Sequence, residues 1–268
     1  MKISLYQVDA FTDRLFAGNP AAVCPLEQWL PDETMQAIAA ENNLAETAFF
    51  VPHGTGYELR WFTPTCEVEL CGHATLASAQ VIATQLHPGI SHIDFDSRSG
   101  RLQVDIDHRN GELRMDFPAD PPQPISTPEE LASILGVVVE QTMASRIGYL
   151  LVTISESALR TMAPDMQRLA ELECRGVIVT ARGSDCDFVS RFFAPQLGVP
   201  EDPVTGSAHC VLTPYWVGRL GKSVLSARQL SARGGSLRCE LQGERVVLAG
   251  RAVLYLQGSI EVPSGAMA

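Results

Sequence analysis

The 268-residue chain is short of positive charge: 20 Lys and Arg stand against 31 Asp and Glu, a formal net charge of −11. Nucleic acids and anionic membranes are gripped mainly through basic patches, so neither is an expected partner. A small acidic ligand stays open, because a helix start or a few Arg outweigh the global field at contact distance. A cysteine framework is missing as well. The seven Cys are odd in number and scattered without a Cys-x-x-Cys pair, which predicts reduced thiols rather than a disulfide scaffold or a zinc site. No metal or cofactor is expected. Apolar runs of membrane-spanning length are absent, and Met1 to Asp9 alternates like a strand instead of carrying a signal's apolar centre. A cytoplasmic protein is therefore expected. What is present is ordinary globular material, 46% apolar and 19% charged, in a length that suits two domains.

The chain repeats itself. Arg60-Trp61-Phe62-Thr63-Pro64 is followed by Glu67-Val68-Glu69-Leu70-Cys71-Gly72-His73-Ala74, and Arg191-Phe192-Phe193-Ala194-Pro195 by Glu201-Asp202-Pro203-Val204-Thr205-Gly206-Ser207-Ala208, with two residues read as inserted in the later copy. Each copy reads as an aromatic strand ending in Pro, an acidic loop, and a small-residue turn opening a helix. A helix start leaves backbone N–H groups without partners and carries roughly half a positive charge. Two such starts facing each other would cradle a carboxylate, with Gly72 and Gly206 allowing close approach and His73, Asp202 and Ser207 on the rim. The plainer alternative is that both glycines only permit close packing.

Other residues carry two readings each. Gly18-Asn19-Pro20 has turn chemistry, so Asn19 is either a turn residue or an amide donor to a substrate carboxylate. Glu46 stands at the mouth of a buried strand, Thr47 to Val51; it is a solvated loop carboxylate, or one whose burial raises its pKa toward acid/base work. Cys71 precedes a helix start, where a thiol is activated, or is small buried filler. Arg233, in the Arg233-Gly234-Gly235 turn, is a carboxylate clamp or a surface Arg. The run Pro118 to Pro124 is Pro-dense and reads as a linker, dividing the chain into halves 1–118 and 119–268, with the last strand able to pack back on the first half. The second half is expected to open with a helix from Pro128 to Leu135 capped by Thr127, and to carry strands over 149–154, 176–181 and 186–193.

The stretches 43–50, 61–75, 191–209 and 231–235, with the Gly-Asn-Pro turn, together resemble the PhzF-like, phenazine-biosynthesis-protein family of isomerases. The resemblance implies an α+β fold of two pseudo-symmetric diaminopimelate-epimerase-like domains, each a mixed sheet or barrel wrapped around a central helix, in a cofactor-free homodimer. It implies that Glu46 is the acid/base, with His73, Asp202 and Ser207 as the other polar site residues. Epimerases of the wider superfamily use a cysteine from each turn; here Cys71 faces Thr205 in the repeat, which disfavours a symmetric thiol pair. The expected function is a proton shift by Glu46 on a small carboxylic acid held in the cleft between the halves. The rivals are a two-base amino-acid epimerase using Cys71, and a binding protein without turnover.

Overall fold

The computed structural model describes residues 1–263. The chain divides into two units, Met1–Asp116 together with the residues from Ala249 onward, and Phe117–Leu248.

In the first unit β1 (Lys2–Ala10) pairs antiparallel with β2 (Asn19–Pro25), and β2 runs parallel to β3 (Glu46–His53) after the crossover helix α1 (Asp32–Asn42). An antiparallel β4 (Gly56–Phe62) follows; then come the short β5 (Glu67–Val68) and α2 (Gly72–Val81), after which β6 (His92–Ser97) lies parallel to β4. The hairpin of β6, β7 (Gly100–Asp107) and β8 (Glu112–Pro118) completes the run. Alternation along β3 decides what faces what. Phe49 and Val51 join Met35, Ile38 and Ala39 of α1 on one side, a core in which each buried aliphatic side chain contributes about 2 kcal/mol. Ala48, Phe50 and, by the same parity, Glu46 point to the other side, where α2 lies. The central helix is built for enclosure. Its residues Ala74 to Ala79 are all buried, and most are small enough for strands to approach. Its two hydroxyls stay satisfied at depth: Thr75 donates to the Cys71 carbonyl at 2.6 Å and Ser78 to that of Ala74 at 2.8 Å. Past Val81 the helix widens into a π turn, Ile82–Leu86.

The second unit writes the same order again. Here β9 (Gln123–Ile125), α3 (Leu131–Leu135) and β10 (Val139–Ser145) precede β11 (Gly148–Thr153), α4 (Glu156–Thr161), α5 (Met166–Glu171), β12 (Val177–Arg182) and β13 (Phe188–Phe193). After α6 (Gly206–Leu220) come β14 (Val224–Gln229), β15 (Gly235–Gln242) and β16 (Arg245–Gly250). Pairings β10 to β15 run antiparallel, parallel, antiparallel, parallel, antiparallel, matching β1, β2, β3, β4, β6 and β7. Leu131, Ile134, Leu159 and Leu169 from α3 to α5 cover Val177, Val179, Ala181 and Phe193, the counterpart of the α1 layer. The last strand, β17 (Ala252–Glu261), pairs antiparallel with β1 and belongs to the first unit. Among the described residues no helix is long and apolar enough to cross a membrane.

Several expectations need correction. The Pro-dense run is not wholly a linker, because β9 lies in it and pairs with β10. Thr127 caps no helix: its hydroxyl meets that of Thr142 at 2.8 Å, and α3 begins only at Leu131. Strand β10 and the Ser155-capped α4 lie in stretches without a clear period and were not anticipated. Gly18 does turn the chain, at φ +68°, where a Cβ would sit 2.2 Å from the Ala10 carbonyl oxygen. Asn19 does not; it opens β2 and is fully buried. The insertion in the later copy is three residues, accommodated by the turn Pro195–Leu197.

Candidate active site

The two copies of the motif are pinned by the same device. Arg60 holds Glu67 by two hydrogen bonds of 2.7 and 2.8 Å, and Arg191 holds Glu201 by two of 2.7 and 3.0 Å. Each guanidinium also lies over the ring two residues on, Phe62 at 5.2 Å and Phe193 at 5.0 Å. The bidentate pair fixes the loop between strand and helix, so what the loop presents is held in place. What it presents differs between the units.

In the first unit, alternation along β3 carries Glu46 to the start of α2. Its Oε2 lies 3.0 Å from His73 Nε2, with the two side chains 18% and 7% exposed. The other ring nitrogen, Nδ1, faces the Asn19 side-chain nitrogen at 3.2 Å and the Cys71 sulfur at 3.5 Å. Burial alone would pull the His73 imidazole down; the Cys71 sulfur and the Glu46 carboxylate outweigh it and hold its pKa well above the usual value. A charged ring carries a donor on each nitrogen, one facing Glu46 and the other facing the Cys71 sulfur and the Asn19 amide. Burial, and next the Glu46 charge, push the Cys71 thiol up, so it is not the activated thiol that a helix start can produce. Cys24 and Cys239, deep in the two units, are pushed up to about 12 by burial.

In the second unit the corresponding start is a hydroxyl and amide assembly. Thr205 donates its hydroxyl to Asp202 Oδ2 at 2.5 Å, and its backbone N–H goes to Gln229 Oε1 at 2.9 Å. Gln229, buried at the end of β14, donates its own amide to the Asp202 carbonyl at 2.7 Å and to the Thr205 hydroxyl at 3.1 Å. One side chain thus orients the whole turn that carries Asp202. Ser207 is exposed at the first turn of α6, Gly206 is half-buried beside it, and Arg233 sits half-buried in the turn after β14, next to Gly234 at φ +65°. His209, one residue further along α6 than the counterpart of Ala74, is enclosed; it meets the Thr205 carbonyl through Nδ1 at 2.7 Å, and burial lowers its pKa to about 4.

Of the residues singled out in the sequence, Asn19, Glu46, Cys71, Gly72 and His73 therefore come together in the first unit, and Asp202, Gly206 and Ser207 in the second. Gln229 was missed. It lies 24 residues from Thr205 and in no motif, and only the parallel register of β13 and β14 reveals it. Gly176 was missed too. In the register Thr47↔Phe62 of one unit and Val177↔Phe193 of the other, it occupies the position of Glu46.

This duplicated mixed-sheet fold is that of the phenazine biosynthesis-like proteins, whose family model matches residues 8–258. The chain belongs to this family. It is 52% identical over 262 residues to a protein of Pseudomonas aeruginosa named an uncharacterized isomerase, covering 98% of this chain and 100% of that one. The crystal structure of a PhzF-family phenazine biosynthesis protein from Enterococcus faecalis superposes with a TM-score of 0.95 at 44% identity, covering 98% of this chain and 100% of that one. A hydroxyproline epimerase from Agrobacterium vitis shares the fold alone, with a TM-score of 0.61 at 11% identity over 97% of this chain and 92% of that one.

Proposed function

We propose that the protein is an isomerase that moves a proton between two atoms of a small carboxylic acid, with the Glu46 carboxylate as the single acid/base. The observation that carries this reading is the pairing of Glu46 with His73 at 3.0 Å in a mostly enclosed corner at the start of α2. Glu46 takes the proton from carbon and returns it to another atom on the same face. His73, held charged, stabilises the carboxylate between turnovers and offers a donor to the negative charge that develops on the substrate. Asn19 fixes the ring from its far side. Asp202 is assigned to positioning or proton relay, and Ser207, Gly72, Gly206 and Arg233 to binding the substrate's polar groups.

Gly176 supports a one-base reading. The repeat supplies no second carboxylate at the matching position, and Thr205 stands where a second thiol would have to be. The relatives' names support the reaction class, and the chemistry of the site supports no particular substrate beyond an acid. The test is carbon-bound hydrogen exchange in deuterium oxide over a panel of small unsaturated and hydroxylated acids. Exchange is expected with at least one acid and is expected to fall ~10²- to 10⁴-fold in Glu46→Gln, with the melting temperature little changed. Activity within tenfold of the parent would remove Glu46 from its role.

A further inference from the structure

We infer that Glu46, Cys71 and His73 form a binding site for a zinc-class divalent ion, one that would occupy the acid/base itself. One atom from each side chain, a carboxylate oxygen, a sulfur and an imidazole nitrogen, lies within 4.8 Å of the other two. His73 Nε2 is 3.0 Å from Glu46 Oε2 and 4.0 Å from the Cys71 sulfur. Around a tetrahedral ion with bonds of about 2.0 to 2.3 Å, such donors stand roughly 3.3 to 3.6 Å apart. The nitrogen and the carboxylate oxygen already stand near that spacing, whereas the sulfur, which lies nearer Nδ1 at 3.5 Å, joins them by turning about the Cα–Cβ bond of Cys71. The donor set is one sulfur, one nitrogen and one oxygen, which suits zinc or cobalt and does not suit magnesium, a cation that demands oxygen. Asn19, beside His73 Nδ1, orients the ring from behind, as outer groups do around ligating histidines. The fourth position is open. Two negative donors balance the ion's charge, and the thiol proton, with any second proton on the ring, passes to water as the ion enters.

The spacing hides this site. Two donors come from the helix start and the third from a strand 25 residues earlier, so no metal-binding pattern can be read along the chain. The second unit is an internal control: Thr205, Ser207 and Gly176 hold the corresponding positions and offer no such set.

That such an ion silences turnover rests on the acid/base reading of Glu46; binding itself does not. The two are separated by reading the metal directly. Full-length protein, freed of metal with a chelator, is titrated with cobalt(II). One equivalent per chain is expected to give a sulfur-to-cobalt charge-transfer band with the visible spectrum of a four-coordinate ion. Zinc should bleach it stoichiometrically, and magnesium in large excess should leave it intact. Cys71→Ser, close in shape and so able to fold, should lose the band and bind zinc at least tenfold more weakly. Cys66→Ala, which removes an exposed thiol elsewhere, should keep both. No band, a band that survives Cys71→Ser, or one that disappears with Cys66→Ala would overturn the site, whatever the hydrogen-exchange assay shows.

Discussion

The two helix starts are built on one plan and carry different chemistry. The strand order, the bidentate Arg–Glu clamp, the ring beneath the guanidinium and the glycine opening the helix are all repeated. The residues facing the helix start are not: Glu46, Cys71 and His73 in the first unit become Gly176, Thr205 and Ser207 in the second. Even the histidines behave oppositely. His73, against a carboxylate, is held charged, whereas His209, among Phe188 and apolar neighbours, is held neutral. The difference teaches that duplication here preserves the scaffold and leaves the chemistry free to specialise. One start carries the acid–imidazole pair and the other a rigid hydrogen-bonded turn.

The clamps offer the largest break in this comparison. Glu67 has Arg98 as a second cation at 2.7 Å, whereas among the described residues Glu201 pairs with Arg191 alone, which also donates to the Met162 carbonyl at 2.8 Å. Arg191→Ala is therefore expected to cost about 3 to 5 kcal/mol in urea unfolding, the loss typical when one partner of a largely buried pair is removed. Arg60→Ala should cost less, about 1 to 2 kcal/mol, since Glu67 keeps a partner. Equal losses would show that the second cation on Glu67 contributes nothing.

The histidines sharpen the comparison through pH. His209 titrates near 4 when folded and near its ordinary value when unfolded, so between those limits the unfolded chain binds more protons and stability falls as pH drops. The full effect is about 3 kcal/mol at 1.4 kcal/mol per pH unit. His73 acts with the opposite sign: its contribution is complete below its unfolded pKa and is lost as pH rises through the raised folded one. Unfolding free energies measured from pH 4 to 9 should show a shallower acid-side slope in His209→Gln and a shallower alkaline-side slope in His73→Gln than in the parent protein.

A smaller effect is expected at the counterpart of Glu46. A Cβ on Gly176 would sit 2.5 Å from the Phe192 ring, so Gly176→Ala should destabilise by about 1 to 3 kcal/mol, as overpacking does. A melting curve shifted by less than 1 °C would mean that the ring yields freely and that space did not exclude a second carboxylate there.

The repeat could be read because its signals are local: aromatic strand, Pro, acidic loop, Gly, helix. Glu46 was legible for a related reason, as a lone carboxylate among apolar residues leading into a buried strand. That it meets His73 was not, because the encounter depends on strand parity and on α2 lying against that face. Gln229 and Gly176 were invisible for the same cause, since each takes its meaning from register between strands distant in sequence. The missed β10 and α4 lie in the more polar stretches of the second unit, where periodicity is weakest. Thr127 shows the converse error: a good capping residue was taken by a tertiary hydrogen bond to Thr142.

In the proposed reaction a single carboxylate, rather than a carboxylate and a thiol, moves the proton. The direct test compares Glu46→Gln with Cys71→Ser in the same deuterium-exchange assay, on whichever acid the parent protein exchanges fastest. The account predicts that the loss at Glu46 exceeds the loss at Cys71 by at least ~10-fold, in line with the weight of a general base. An equal loss at both positions, or a greater one at Cys71, would contradict it.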